Sequence, residues 1–319
     1  MDREQFEKKR RWAGEARPSM KRRRVGHDYH GRCVYMISLA VEGRRPLLGT
    51  VTGDGEAVPA VFEPSSLGEA IIKELHSIPE YYPQVSIWQV QLMPDHLHFI
   101  LFVKERLPVH LGKVIIGFKV GCNRAYSSQM AAGGQTMLWE NGYNDRILEH
   151  EGQLQSLKCY MRDNPRRLAV KRHHPELFTV RHQVQAGGRT FAALGNLFLL
   201  DAPQRVAVKC SRDLTQEQIN EKCCHFLEMA RNGAVLISPS ISKGEKKVMR
   251  AAFEKGYPTI ILLENGFSPL AKPGGRRFDA CAAGRLLLLA PWAHHNEDRA
   301  ITHDQCLSLN DMARDIATM

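Results

Sequence analysis

The sequence predicts two domains of different architecture: an antiparallel α+β domain, then an α/β domain built on a parallel sheet. Three observations carry this expectation. The chain has 319 residues, 43% hydrophobic and 24% charged, which is enough apolar material for two cores of ordinary size. Residues 85–92 alternate Trp88, Val90 and Leu92 with Gln89 and Gln91, and a Met93-Pro94-Asp95 turn sends the chain back through 96–103, the pattern of a half-buried hairpin. From residue 205 onward, near-continuous apolar strands alternate with helical segments, as in a parallel sheet covered on both faces.

The elements follow in order. Residues 32–41 read as a strand and 67–78 as a helix that ends before the break at Pro79–Pro83. After the hairpin, a long amphipathic helix covers 107–127, a Gly133-Gly134 loop follows, an extended stretch runs through 139–148, and a helix spans about 153–164. A hairpin of strands interrupted elsewhere by helices gives an antiparallel sandwich, ferredoxin-like in outline. Residues 173–190 read as a linker. Strands then fall at 205–210, 234–239, 258–264 and 285–291, and helices at 215–232, 243–256 and 303–318, giving a Rossmann-like domain over 191–319. The first domain is placed at 25–172, behind a basic arm at 1–24.

Composition excludes several classes. The net charge of +10, from 44 Lys and Arg against 34 Asp and Glu, points to a polyanion partner without locating a site. Residues 1–24, with KKRR at 8–11 and KRRR at 21–24, carry +6 of it. That arm fits a nuclear-localisation pattern, a nucleic-acid arm or a solvated tail equally well. No apolar run approaches the roughly 18 residues of a membrane span. Cys33–Val41 follows a basic stretch but runs into Glu42-Gly43-Arg44-Arg45 without a small-residue cleavage site, so it reads as a strand and not a signal peptide. Eight cysteines with no CxxC spacing suggest reduced, buried thiols and a cytoplasmic protein.

Two local patterns carry chemistry. His96-Leu97-His98 lies on the returning strand of the hairpin, where residues two apart project from one face, so both imidazoles can converge on a cation while Leu97 and Phe99 face the core. Tyr160 and Asn164 are four apart and stack on one helix face. Pro165 disfavours the helical conformation of the residue before it, which places Asn164 at the helix end. Taken singly, each pattern also fits plain structural roles: two histidines without a metal, a core tyrosine, an asparagine cap.

Together, Met93–Leu101 (MPDHLHFIL), Trp139–Ile147 (WENGYNDRI) and Tyr160–Pro165 stand in an order and spacing that resembles the HUH single-strand transposases, specifically the REP-associated tyrosine transposases. The resemblance covers about residues 30–170. It implies a ferredoxin-like HUH nuclease domain, an endonuclease and strand transferase that nicks and rejoins single-stranded DNA at or near a hairpin during DNA transposition or recombination. It further implies Mg²⁺ or Mn²⁺ held by His96, His98 and Asn164, with Tyr160 as the nucleophile, in a monomer or a homodimer. The chemistry is coherent: a phenol ionises near pH 10, so it needs help to act at neutral pH, and a divalent cation can polarise the scissile phosphate.

Charge agrees with this map. Residues 25–110 carry −4 and residues 111–172 carry +5, and Lys113, Lys119, Arg124, Arg146, Lys158, Arg162, Arg166 and Arg167 are candidate contacts to a phosphate backbone. Trp139, Tyr143 and Tyr126 can stack on unpaired bases or fill the core. In the second domain, Ser240, Ser242 and Gly244-Glu245 at a helix start fit either an anion site or a capping box, with capping the simpler reading. This half resembles the DNA-processing protein A and nucleotide-cleaving superfamily in texture only, since no GxGxxG or PGGxGTxxE motif is present and Lys272-Pro273-Gly274-Gly275 sits elsewhere. No cofactor-binding residues are assigned there. Two other functions stay open: a domesticated, non-cleaving nucleic-acid-binding regulator with a nucleotide-sensing second domain, and a nucleotide-binding or nucleotide-cleaving protein led by the C-terminal half.

Overall fold

The computed structural model describes residues 23–129, 137–268, 271–297 and 300–319. Most of the basic arm and the Gly133-Gly134 loop lie outside these residues. The chain divides between Val170 and Lys171 into two units.

In the first unit, β1 (Cys33–Ala40) leads to a small hairpin of β2 (Gly49–Thr52) and β3 (Val61–Pro64), then α1 (Ser66–Tyr81). The hairpin of β4 (Val85–Met93) and β5 (His96–Val103) follows, then α2 (Leu111–Gln129), β6 (Asn144–Leu148) and α3 (Gln153–His173). The main sheet runs β4-β5-β1-β6 and is antiparallel throughout, so β1 lies between the later strands and the chain forms an α+β sandwich. Period-two alternation sorts its side chains. Leu97, Phe99, Leu101 and Val103 of β5 are fully buried with Ile37 and Leu39 against Leu67, Ile71 and Leu75 of α1 and Val114, Ile115 and Phe118 of α2. The other face carries Met36 and Ile100, which pack against Leu157 and Met161 of α3. Gly68 permits the close seating of α1, because a Cβ there would stand 2.2 Å from the Leu48 carbonyl oxygen.

Both prolines expected to end helices lie inside them. α1 passes Pro79, and α3 passes Pro165 and continues to His173, so Asn164 is an interior residue and not a helix end. Burial overrides the local preference: Met161, Asn164, Pro165, Ala169 and Val170 are all buried along α3. Asp163 also spans the proline, accepting from Nε of Arg166 and of Arg167 at 2.6 Å each. These ties hold the helix across the position where Pro165 has no N–H to give.

The second unit begins with a short helix, α4 (Pro175–Phe178), and a hairpin of β7 (Arg181–Ala186) and β8 (Arg189–Gly195). The stretch expected as a linker at 173–190 therefore contains a helix and a sheet strand. Next come β9 (Arg205–Ala207), α5 (Gln216–Arg231), β10 (Val235–Ser238), α6 (Lys243–Glu254), β11 (Thr259–Leu262), α7 (Arg276–Ala282), β12 (Leu286–Ala290) and α8 (His303–Ala317). The sheet order is β7-β8-β12-β11-β10-β9. Strands β9 to β12 pair in parallel, and β8 pairs antiparallel to β12. Leu236 packs with Phe226 of α5 and Val248 of α6 on one face, while Ile237, Ile260, Leu287 and Leu289 pack with Leu309 and Ile316 of α8 on the other. Burial on both faces explains why these strands read as continuous apolar runs. All eight cysteines are free thiols. Among the described residues no helix is long and apolar enough to cross a membrane.

Candidate active site

His96 and His98 project from β5 on the α3 side of the sheet, their ring centroids 4.7 Å apart. Each ring is fixed through Nδ1. His96 Nδ1 lies 2.6 Å from Asp95 Oδ1, and His98 Nδ1 lies 2.6 Å from Ser38 Oγ, which β1–β5 pairing places directly opposite. Asp95 is itself 3.5 Å from Arg44. Among the described residues neither histidine Nε2 has a hydrogen-bond partner. Since an ionised carboxylate only accepts, His96 donates from Nδ1 and turns its Nε2 outward, the arrangement that orients a metal-binding imidazole.

Electrostatics keep the second imidazole neutral. Burial, and then the positive charges of His96 and Arg44, push His98 down to about 3 against the opposing pull of Asp95. Burial of Asp95 favours its neutral form, but the hydrogen bond and charge of His96 outweigh it and hold the carboxyl below its ordinary value.

Tyr160 reaches the same place from α3. It is 42% exposed, and its ring centroid lies 6.3 Å from that of His98. The Arg167 guanidinium carbon stands 5.6 Å from the Tyr160 ring centre, with Arg167 anchored by Asp163. Burial favours a protonated Asp163, but hydrogen bonds from Arg166 and Arg167 prevail and lower its pKa. Asn164, one turn beyond Tyr160, is 7% exposed, and its Nδ2 meets no acceptor among the described residues. The two outward Nε2 atoms and the Asn164 carboxamide, without protein partners among the described residues, are a donor set that fits a divalent cation with coordination positions open to water and phosphate. Among the described residues no three His, Cys, Asp or Glu side chains converge, so a cation here would rest on His96, His98 and Asn164.

Ser38, Arg44, Asp95 and Asp163 were not among the residues singled out from sequence. Asp95 had a signal, standing next to His96 in the turn. Ser38 had none, because only strand register brings it to His98.

The eight candidate phosphate contacts separate into two groups. Lys158, Arg162, Arg166 and Arg167 lie on α3, and Arg146 pairs with Met36 across β1–β6, on the same sheet face as the histidines. Lys113, Lys119 and Arg124 belong to α2, which packs against the opposite face. Lys119 is half-buried and donates to the carbonyls of Glu140 at 2.7 Å and Gly142 at 3.1 Å; burial lowers its pKa. It secures the 140–142 loop, and only one of its three N–H donors is left over. Trp139, Tyr143 and Tyr126 are buried in the core and offer no face to a base.

In the second unit Ser242 and Glu245 form the capping box. Ser242 Oγ accepts from Glu245 N at 3.1 Å, and Glu245 Oε2 accepts from Ser242 N at 3.1 Å and Ile241 N at 2.8 Å. Glu245 is 2% exposed and also accepts from Cys210 N at 3.4 Å. These groups satisfy one another, which leaves capping as their role.

No family model matches the chain. An uncharacterized protein of Haemophilus influenzae is 22% identical over 160 residues, covering 44% of this chain and 83% of that protein. Among solved structures, a REP-associated tyrosine transposase bound to a REP hairpin is similar at TM-score 0.34 and 12% identity, over 48% of this chain and 73% of that one. DNA processing protein A from Helicobacter pylori, described for its single-stranded DNA binding mode, is similar at TM-score 0.33 and 19% identity, over 44% of this chain and 66% of that one.

Proposed function

We propose that the protein is a metal-dependent single-strand DNA nickase and strand transferase in which Tyr160 forms a covalent 5′-phosphotyrosine intermediate. One observation carries this reading: His96 and His98 are both fixed through Nδ1 with Nε2 unpartnered, and the exposed Tyr160 ring stands 6.3 Å from His98. A role in packing alone gives no reason for two imidazoles to be oriented in this way beside an exposed phenol.

His96, His98 and Asn164 would hold Mg²⁺ or Mn²⁺, which when bound polarises the scissile phosphate and offsets the charge that builds on it. The remaining steps belong to the chain. Tyr160 Oη attacks phosphorus and gives up its proton to solvent, the Tyr–O–P bond forms, and the P–O3′ bond breaks. The departing oxygen takes a proton and leaves as a free 3′-hydroxyl. Attack by a 3′-hydroxyl on the phosphotyrosine reverses the sequence and rejoins a strand. Arg167, beside the Tyr160 ring, supplies a positive charge where the phenolate departs. Arg146, on the sheet face of the histidines, and Arg162, on α3, are both exposed and would bind flanking phosphates. The ferredoxin-like outline of the first unit and a Rossmann-like second unit acting as an accessory domain complete this reading.

The test is to incubate the protein with hairpin-bearing single-stranded DNA and Mn²⁺ or Mg²⁺ and to resolve the products on a denaturing gel. A slow-migrating adduct in the wild type that is absent in Tyr160→Phe supports strand transfer. Salt-sensitive binding without an adduct, unchanged in Tyr160→Phe and His96→Ala, identifies a non-cleaving nucleic-acid binder instead.

A further inference from the structure

A cavity lies in the first unit beside α2, on the opposite side of the sheet from the histidine pair. Its volume is about 610 Å³, within the range of small-molecule sites. One wall is apolar yet open to solvent: Ile116, Val120 and Met137 are 55%, 43% and 48% exposed. Three large exposed apolar side chains around one concavity mark a contact surface and not ordinary surface scatter.

Most of the polar groups that line it are neutral. His27 and His110 line the cavity, and burial is the first cause lowering both pKa values, so both rings are neutral at neutral pH. His110 Nδ1 accepts from Gly112 N at 2.9 Å, which places its proton on Nε2 as a donor. Asn141 is exposed at the rim and carries both a donor and an acceptor. The Tyr143 hydroxyl in the wall is buried without a partner among the described residues. Gly112 leaves the wall between them open: a Cβ there would come 3.0 Å from His110 Nδ1 and 3.7 Å from the Tyr143 hydroxyl. Among the described residues no acidic one lines the cavity, and the Arg23 and Arg24 guanidinium groups at its edge are matched by Asp145 and Glu149. Lys119 also lines the cavity and keeps one N–H donor, the other two going to the Glu140 and Gly142 carbonyls, whereas a cage for bare phosphate would present several unmatched cations. This cavity instead offers apolar walls for the faces of a flat ring and neutral donor–acceptor groups for its edge.

We infer that the cavity beside α2 binds a nucleobase, held between Ile116 and the neutral edge groups His110 and Asn141. The base belongs either to a free nucleotide or to an unpaired position of the strand; the second source rests on the function proposed above.

The test titrates the full chain with dAMP, dGMP, dCMP and dTMP by calorimetry, with 2-deoxyribose 5-phosphate as the base-free control. Hairpin-bearing single-stranded DNA carrying one abasic position at a time supplies the strand arm. Ile116→Lys changes an exposed side chain and is expected to fold. Tyr143→Phe removes the unpartnered hydroxyl without changing shape. Binding of at least one nucleotide but not the sugar phosphate, weakened roughly tenfold by Ile116→Lys, supports a free-nucleotide site. A single abasic position that weakens wild-type binding by roughly two- to tenfold, but has no further effect in Ile116→Lys, supports capture of a base from the strand. Equal binding of the sugar phosphate, or affinities unmoved by both variants, overturns the inference. A flat abasic scan without nucleotide binding, in a protein that still forms the Tyr160 adduct, overturns the cavity's role and leaves strand transfer standing. Nucleotide binding in a protein that never forms the adduct does the reverse.

Discussion

The imidazole of His98 and the ring of Tyr160 lie 6.3 Å apart, although one sits on a central strand and the other on a helix packed across that strand's face. The contact of Leu157 and Met161 with Met36 and Ile100 brings them together, so the apolar packing of α3 sets the site's geometry.

Replacing Tyr160 by Phe removes the proposed nucleophile and little else. Strand transfer should fall by roughly 10³-fold or more, while stability changes by less than about 0.5 kcal/mol because the side chain is substantially exposed. Adduct formation and thermal melts on the same preparations check both halves.

On the function proposed above, the partners of the histidine Nδ1 atoms set cation affinity. Ser38→Ala and Asp95→Asn should each weaken Mn²⁺ binding by roughly 10- to 100-fold with the fold intact, measured by titration calorimetry.

Asp163 ties Arg166 and Arg167 across Pro165. Asp163→Asn should cost about 1 kcal/mol in urea unfolding, as expected for half-exposed ion pairs. It should also slow nicking, since Arg167 beside Tyr160 loses its anchor.

Stability should fall at high pH through Tyr143. Burial pushes its hydroxyl up to about 12, above the ordinary value of 10, so the folded state prefers the protonated phenol. That contribution is fully present below pH 10 and is lost as pH rises towards 12, amounting to about 2–3 kcal/mol. Urea titrations at pH 8 and pH 11 should converge partly in Tyr143→Phe.

In the second unit, Glu245→Ala strands the N–H groups of Ile241, Ser242 and Cys210. A loss of about 2–4 kcal/mol is expected in thermal or urea unfolding. A negligible loss would contradict the capping role.

Much of the fold was legible because alternation and apolar runs report which faces are buried. β5 announced its two faces through Leu97 and Phe99 against His96 and His98, and the doubly buried strands β10, β11 and β12 read as continuous apolar segments. β7 was hidden because it is an edge strand whose residues Arg181, His182 and Gln183 are exposed, leaving no hydrophobic period to see. Pro79 and Pro165 misled for the opposite reason: their local cost is real, but burial around Ile78 and Met161 exceeds it. At the site, His96, His98 and Tyr160 could be named from spacing. Ser38 could not, since register across β1 and β5 is a property of the assembled sheet. Lys119 counted as a surface cation in sequence, yet its role is set by the two carbonyls that fold back over it.

The most direct measurement is mass spectrometry of the Tyr160 peptide after incubation with single-stranded hairpin DNA and Mn²⁺, followed by nuclease and protease digestion. Strand transfer through Tyr160 predicts a nucleotide 5′-phosphate attached to that tyrosine, absent when the cation is chelated and absent in His98→Ala. An unmodified Tyr160 peptide under every divalent cation tried, from protein that binds the DNA, would contradict it.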